Sequence, residues 1–157
     1  MSRAVLILPV VLVVFLGCSR IFPPLGQFYQ GEFLGISAYD VKRAQEIRFV
    51  QDESHYALVS TNEEQELIAF KLVVVNARTN SIEVDISKAP VELVGLNQLG
   101  TYTQINPFDM SHKVSDPKDP SKFFYVDDLL WGTFELSKGE EVEGWVVFKI
   151  PKGILFE

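Results

Sequence analysis

A chain of 157 residues, 47% hydrophobic and 12% aromatic, suits one domain plus a targeting segment and excludes wholesale disorder. The formal net charge is -7, and the acidic residues are spread along the chain rather than gathered in a tail. Such a surface repels phosphate backbones and anionic lipid, so no nucleic acid is expected among its partners.

The N-terminus reads Met1, Ser2, Arg3, then an apolar run of 13 residues from Ala4 to Leu16, broken only by Pro9. One positive residue, a short greasy core and small residues after it make a secretory leader. The run is short for a membrane span, which needs about 20 apolar residues. Phe15-Leu16-Gly17-Cys18 resembles the lipobox of bacterial lipoproteins. That resemblance implies cleavage after Gly17, with Phe15 in place of the usual leucine, and a covalent lipid on the Cys18 thiol. Residues 1–17 are then the signal peptide, and the body is exported to the extracytoplasmic side of the cell envelope. An ordinary signal peptide with a chance cysteine and an uncleaved leader kept as an anchor helix are the alternatives. Cys18 is the only cysteine, so no disulfide supports the body.

Residues 18–31, with Pro23-Pro24, Gly26, Gly31 and the aromatics Phe22, Phe28 and Tyr29, read as a tether. From Glu32 to Glu157 the apolar period is two, so the body is predicted to be all-β. Strands are expected around "FLGISAYDV" and over "EIRFVQ". The glutamates of "NEEQELIAF" read as a solvated approach to the next strand. "LIAFKLVVVN" puts Ile68, Phe70, Leu72 and Val74 on one face, and "SIEVDI" puts Ile82, Val84 and Ile86 on one face. With "NARTNS" between them, a hairpin is predicted. "PVELVG" and "GTYTQIN" are further short strands, joined by "LNQL". Asn106 to Lys122, with three prolines and three aspartates, reads as a long irregular loop. "GTFEL", the turn "SKGEE" and "VEGWVVFKI" close the chain. Alternation there places Val142, Gly144, Val146, Phe148 and Ile150 inward, with Glu143, Trp145, Val147 and Lys149 outward. Short strands at regular spacing predict an antiparallel sandwich.

"FKLVVVN", "VELVGLNQLGTY" and the ending "LSKGEEVEGWVVFKIPKG" resemble the telokin-like, immunoglobulin-like domains of unknown function carried by many bacterial lipoproteins. Gly139-Glu140, Gly144, Phe148, Ile150 and Pro151 carry the resemblance, which spans about Ser37 to Glu157. It implies an immunoglobulin-like antiparallel β-sandwich behind a signal or anchor helix, with no catalytic set.

No metal-binding or phosphate-binding spacing is present, and His55 and His112 are the only histidines. The aspartates Asp109, Asp116, Asp119, Asp127 and Asp128 are the oxygen ligands a calcium ion would draw on, although they match no fixed ligand spacing. Trp145, Trp131, Phe123, Phe124 and Tyr125 are the candidates for an exposed aromatic strip that binds a partner, against the blander reading that the tether or the loop covers them or that both faces of the Trp145 strand are buried. No cofactor beyond the lipid on Cys18 is expected. The expected function is a lipid-anchored envelope protein acting in protein binding or structural support. One rival is an accessory subunit of a membrane complex. The other is a hydrolase or metal enzyme, which would need His55 or His112 with two of the loop aspartates.

Overall fold

The computed structural model describes residues 26–88, 91–94, 100–116, 121 and 123–154. The leader, Cys18 and Asp119 lie outside the described residues.

Four strands build the central sheet in the order β1-β2-β5-β12. They are β1 (Tyr29–Gln30), β2 (Leu34–Ala44), β5 (Gln65–Asn76) and β12 (Glu141–Pro151). The register runs unbroken from Glu141↔Val75 to Pro151↔Gln65, and β2 pairs with the other edge of β5. A bulge between Ala38 and Asp40 interrupts β2. The last residues of the tether stretch enter this sheet: Tyr29 opposes Ile36, and the Gly26 amide donates to the Ala38 carbonyl at 2.7 Å.

Both faces of the central sheet are covered. Ile68, Phe70, Leu72 and Val74 form one core with Val146, Phe148 and Ile150. Two ribbons supply its far side: β6 (Ser81–Asp85) with β11 (Thr133–Ser137), and β7 (Glu92–Val94) with β8 (Thr101–Thr103). Phe70 and Phe148 meet edge to face at 6.0 Å. The opposite face gives Leu67, Ala69, Trp145 and Val147 to a second core with Ile47, Phe49 and Leu58. These last come from a second four-stranded sheet, ordered β10-β3-β4-β9. It comprises β3 (Glu46–Gln51), β4 (Ser54–Val59), β9 (Ser111–Val114) and β10 (Phe124–Tyr125). The architecture is a β-sandwich with two cores sharing the long strands β5 and β12.

Four expectations are corrected. First, Trp145 is 6% and Val147 1% exposed. Alternation does place them opposite Val146, but the β3–β4 sheet covers that face. Second, β5 and β6 form no hairpin. Both edges of β5 are occupied, by β2 and β12, so β6 crosses to pair with β11. β11 and β12 likewise meet at a turn but lie in different sheets, β11 pairing with β6. Third, Asn106 to Lys122 is not irregular throughout: a helical turn α1 (Pro107–Met110) leads into β9, which pairs with β4. Fourth, the sandwich is not wholly antiparallel, because β10 runs parallel to β3.

Asn76 holds the two crossing turns together. It is fully buried. Its backbone amide donates to the Glu140 carbonyl at 2.9 Å, and its carbonyl accepts from the Gly139 amide at 2.7 Å. Its Nδ2 donates to the carbonyls of Thr79 (2.8 Å) and Leu136 (2.9 Å), while Oδ1 accepts from the Thr79 amide at 3.0 Å. Gly139, at φ +85°, makes the tight turn that brings β12 back to this point.

Candidate functional site

The segment from Phe123 to Leu130 bridges the two sheets. On one side β10 pairs with Ile47 and Arg48, and the Val126 amide donates to the Arg48 carbonyl at 2.8 Å. On the other, the Trp145 amide donates to the Asp128 carbonyl at 2.7 Å, and the Leu130 amide to the Trp145 carbonyl at 2.9 Å. This approach explains Gly144. A Cβ there would sit 2.8 Å from the Asp128 carbonyl oxygen and 3.0 Å from the Leu130 Cβ. Only a residue without a side chain lets the bridge lie so close to β12.

Past Arg48 the bridge and β3 diverge, and a cleft of about 640 Å³ opens between them. Phe49, Val50 and Gln51 line it on the strand side, Tyr125 to Leu129 on the bridge side, and Phe108 from α1. Its floor is Phe49, which stacks on Tyr56 at 5.4 Å and meets Phe108 edge to face at 6.0 Å. Asn106 aims Phe108: its Oδ1 caps the helix by accepting from the Phe108 amide at 3.0 Å, and its Nδ2 donates to Asp109 at 2.7 Å. Val50 is 54% and Phe108 40% exposed, so the cleft shows apolar side chains to solvent beside the polar Gln51, Asp127 and Asp128.

Its acidic wall is Asp127 and Asp128. Asp127 Oδ1 accepts from Trp145 Nε1 at 2.6 Å, and Oδ2 lies 3.4 Å from Lys71 Nζ. Lys71 also pairs with Glu143 at 2.7 Å. The Trp145 hydrogen bond, then Lys71, holds the Asp127 carboxyl below the usual carboxylate range. Lys71, then Tyr39, does the same for Glu143. Lys71 is raised above the ordinary amine range, by Glu143 first and then Asp127 against the opposing effect of desolvation.

The sequence candidates fall partly together. Tyr125, Asp127 and Asp128 line the cleft. Phe124 packs edge to face on Trp145 at 5.5 Å, and the Arg48 guanidinium lies 3.3 Å over the Phe123 ring. Trp145 supports the wall from beneath but, being buried, is no surface anchor. Trp131 packs against the first core, away from the cleft. Asp109 is exposed on α1 and engaged by Asn106. Asp116 lies 3.4 Å from His55 Nε2, and His55 Nδ1 meets the Tyr125 hydroxyl at 3.1 Å. His55 thus gathers one loop aspartate rather than two. His112 is exposed on β9 opposite Ala57. Among the described residues no three His, Cys, Asp or Glu side chains converge as metal ligands would.

Sequence reasoning missed Phe49, Val50, Phe108 and Lys71. Asn106-Pro107 was a usable signal for α1, since an Asn cap before a proline at the first helical position starts helices. Nothing local marks the others, which meet only through the sheets.

No family model matches the chain, and no curated protein matches it. Among solved structures, the chain is similar to an uncharacterized β-sandwich protein from Clostridium difficile 630. The identity is 11%, each chain is covered to 85%, and the TM-score is 0.44.

Proposed function

We propose that the chain is a lipid-anchored protein of the bacterial cell envelope whose immunoglobulin-like domain binds a protein partner and performs no chemistry itself. The observation that carries the binding reading is the cleft beside the bridge. There an apolar floor and rim, Phe49, Val50 and Phe108, meet an acidic wall, Asp127 and Asp128. Exposed apolar surface framed by charge suits a protein partner with a complementary basic and apolar face. The envelope address is supported by the leader and the Phe15-Leu16-Gly17-Cys18 motif. The likeness to telokin-like domains of lipoproteins agrees with it, and the close packing at Gly144 gives one of its motif residues a structural purpose.

The test is the intact mass of the membrane-extracted native protein beside a Cys18→Ser variant. The expected result is loss of the leader and gain of acyl mass on the wild type alone. An unmodified chain still bearing Met1 sinks the lipid anchor and leaves the retained-helix subunit. For the cleft, a photoreactive amino acid at Val50 in the native envelope should yield a discrete adduct that the same probe at Glu83 does not. Equal labelling at both positions refutes a partner seated there.

A further inference from the structure

Eight large hydrophobic side chains are exposed among the described residues, in two groups. Val50, Phe108 and Met110 belong to the cleft and its helical turn. The other five are Phe28 (55% exposed), Tyr29 (58%), Phe33 (46%), Ile36 and Tyr39. Phe28, Tyr29, Phe33 and Ile36 fall at the N-terminal margin of the central sheet, just before β1, on it, in the turn after it and at the start of β2, whereas Tyr39 lies farther along β2 beside Lys71 and Glu143.

We propose that this margin, Phe28 to Ile36, rests against the lipid bilayer with its aromatic rings seated in the headgroup region. The inference builds on the membrane anchoring proposed above. Three features of the margin support it. The first is reach: eight residue steps separate Cys18 from Gly26, so an extended chain carries the body at most about 28 Å from the anchor. The second is charge. Gly26 to Tyr39 contains a single charged residue, Glu32, in a chain that is 22% charged. Little therefore has to be desolvated when this margin approaches lipid.

The third is geometry. β1 is the outermost strand of its sheet, and its outer edge is unpaired among the described residues. Tyr29 shares a face with its register partner Ile36. Phe28 lies on the opposite face, its ring 3.5 Å from where a Gly35 Cβ would stand. The rings thus flank the strand edge on both sides. At headgroup depth water and lipid head groups can still satisfy the free backbone groups, while the rings take the apolar boundary. Hydrocarbon depth would leave those backbone groups unsatisfied. The net charge of -7 selects a zwitterionic surface rather than an anionic one.

The test uses the full chain recovered from its own membrane and placed in phosphatidylcholine vesicles. Tyr29→Cys, Phe33→Cys and, as an exposed control on β6, Glu83→Cys each carry a nitroxide. Where Cys18 proves unacylated, the same set is made with Cys18→Ser. Collision rates with oxygen and with a water-soluble nickel chelate report depth. Labels at 29 and 33 are expected about 5–10 Å into the headgroup and acyl boundary, with the label at 83 in water. Labels at 29 and 33 as open to nickel as that at 83 overturn the proposal. So does spin–spin broadening between chains, which would assign the margin to a second copy. The intact mass of each sample separates the two ideas. Acyl mass with aqueous labels leaves the anchor standing and removes only this inference. Membrane-depth labels without acyl mass do the reverse.

Discussion

Asn76→Ala is the sharpest test of how this fold is held. The native side chain, with no exposure, satisfies the carbonyls of Thr79 and Leu136 and the Thr79 amide. Alanine leaves the buried Leu136 carbonyl without its side-chain donor and the half-buried Thr79 amide without its acceptor. At about 1–3 kcal/mol per orphaned group, the loss is about 2–5 kcal/mol. That is a large part of a total stability of about 5–15 kcal/mol. Urea unfolding followed by tryptophan emission should show a midpoint lower by about 1–2 M, given a slope of about 1–3 kcal/mol/M. Asn80→Ala, on the exposed side of the same turn, should stay within about 0.5 kcal/mol of wild type. If Asn76→Ala also stays within that margin, the buried network does not hold the crossing turns and the reasoning fails. Asn76→Asp should be worse than alanine at neutral pH, because it turns a carboxylate oxygen toward two carbonyls. Its deficit should shrink in acid, where protonation restores a donor.

Gly144→Ala should cost about 1–3 kcal/mol, since its Cβ meets the Asp128 main chain rather than a movable side-chain tip. The same variant should disturb Asp127 and Asp128 in the cleft, read as altered amide shifts at both. Glu53→Gly should stabilise the chain by about 0.5–1 kcal/mol, measured by thermal unfolding. Asp52 and Glu53 both take positive φ, 48° and 57°, in the two-residue turn between β3 and β4. The lowered Asp127 carboxyl contributes stability that is present at neutral pH and is lost as pH falls below about 4, through its depressed value. Trp145→Phe removes the Nε1 donor. It should move the Asp127 titration, followed by carboxyl carbon shifts, back up toward the ordinary range. An unchanged titration would show that Lys71 alone sets it.

Much of the candidate site was legible only in part, and the residues show why. Tyr125, Asp127 and Asp128 announced themselves by residue type, as an aromatic and acidic run after a proline-rich loop. Their partners in the cleft, Phe49 and Val50, sit in an ordinary alternating strand more than 70 residues earlier. The cleft exists because two strands diverge, and divergence leaves no mark on local composition. Lys71 is similar. Read alone it is one polar residue in an apolar strand, and only the register places it beside Glu143 and Asp127.

By itself the sequence determined most of the strands, though not β4, β9 or β10. Burial alternates in β3 and β6, and in β5 and β12 successive residues alternate between the two cores, because side chains on successive residues must leave a pleated strand on opposite sides. It also determined the turns, where Asn76 and Gly139 supply conformations and hydrogen bonds that the neighbouring residue types cannot. Tertiary structure alone decided which strands pair and which faces are wet. Alternation names two faces but does not say that both are covered, so Trp145 read as outward and is buried. Proximity in sequence suggested β5 with β6 and β11 with β12. A strand has only two edges, however, and those of β5 had gone to β2 and β12, so β6 crossed to pair with β11.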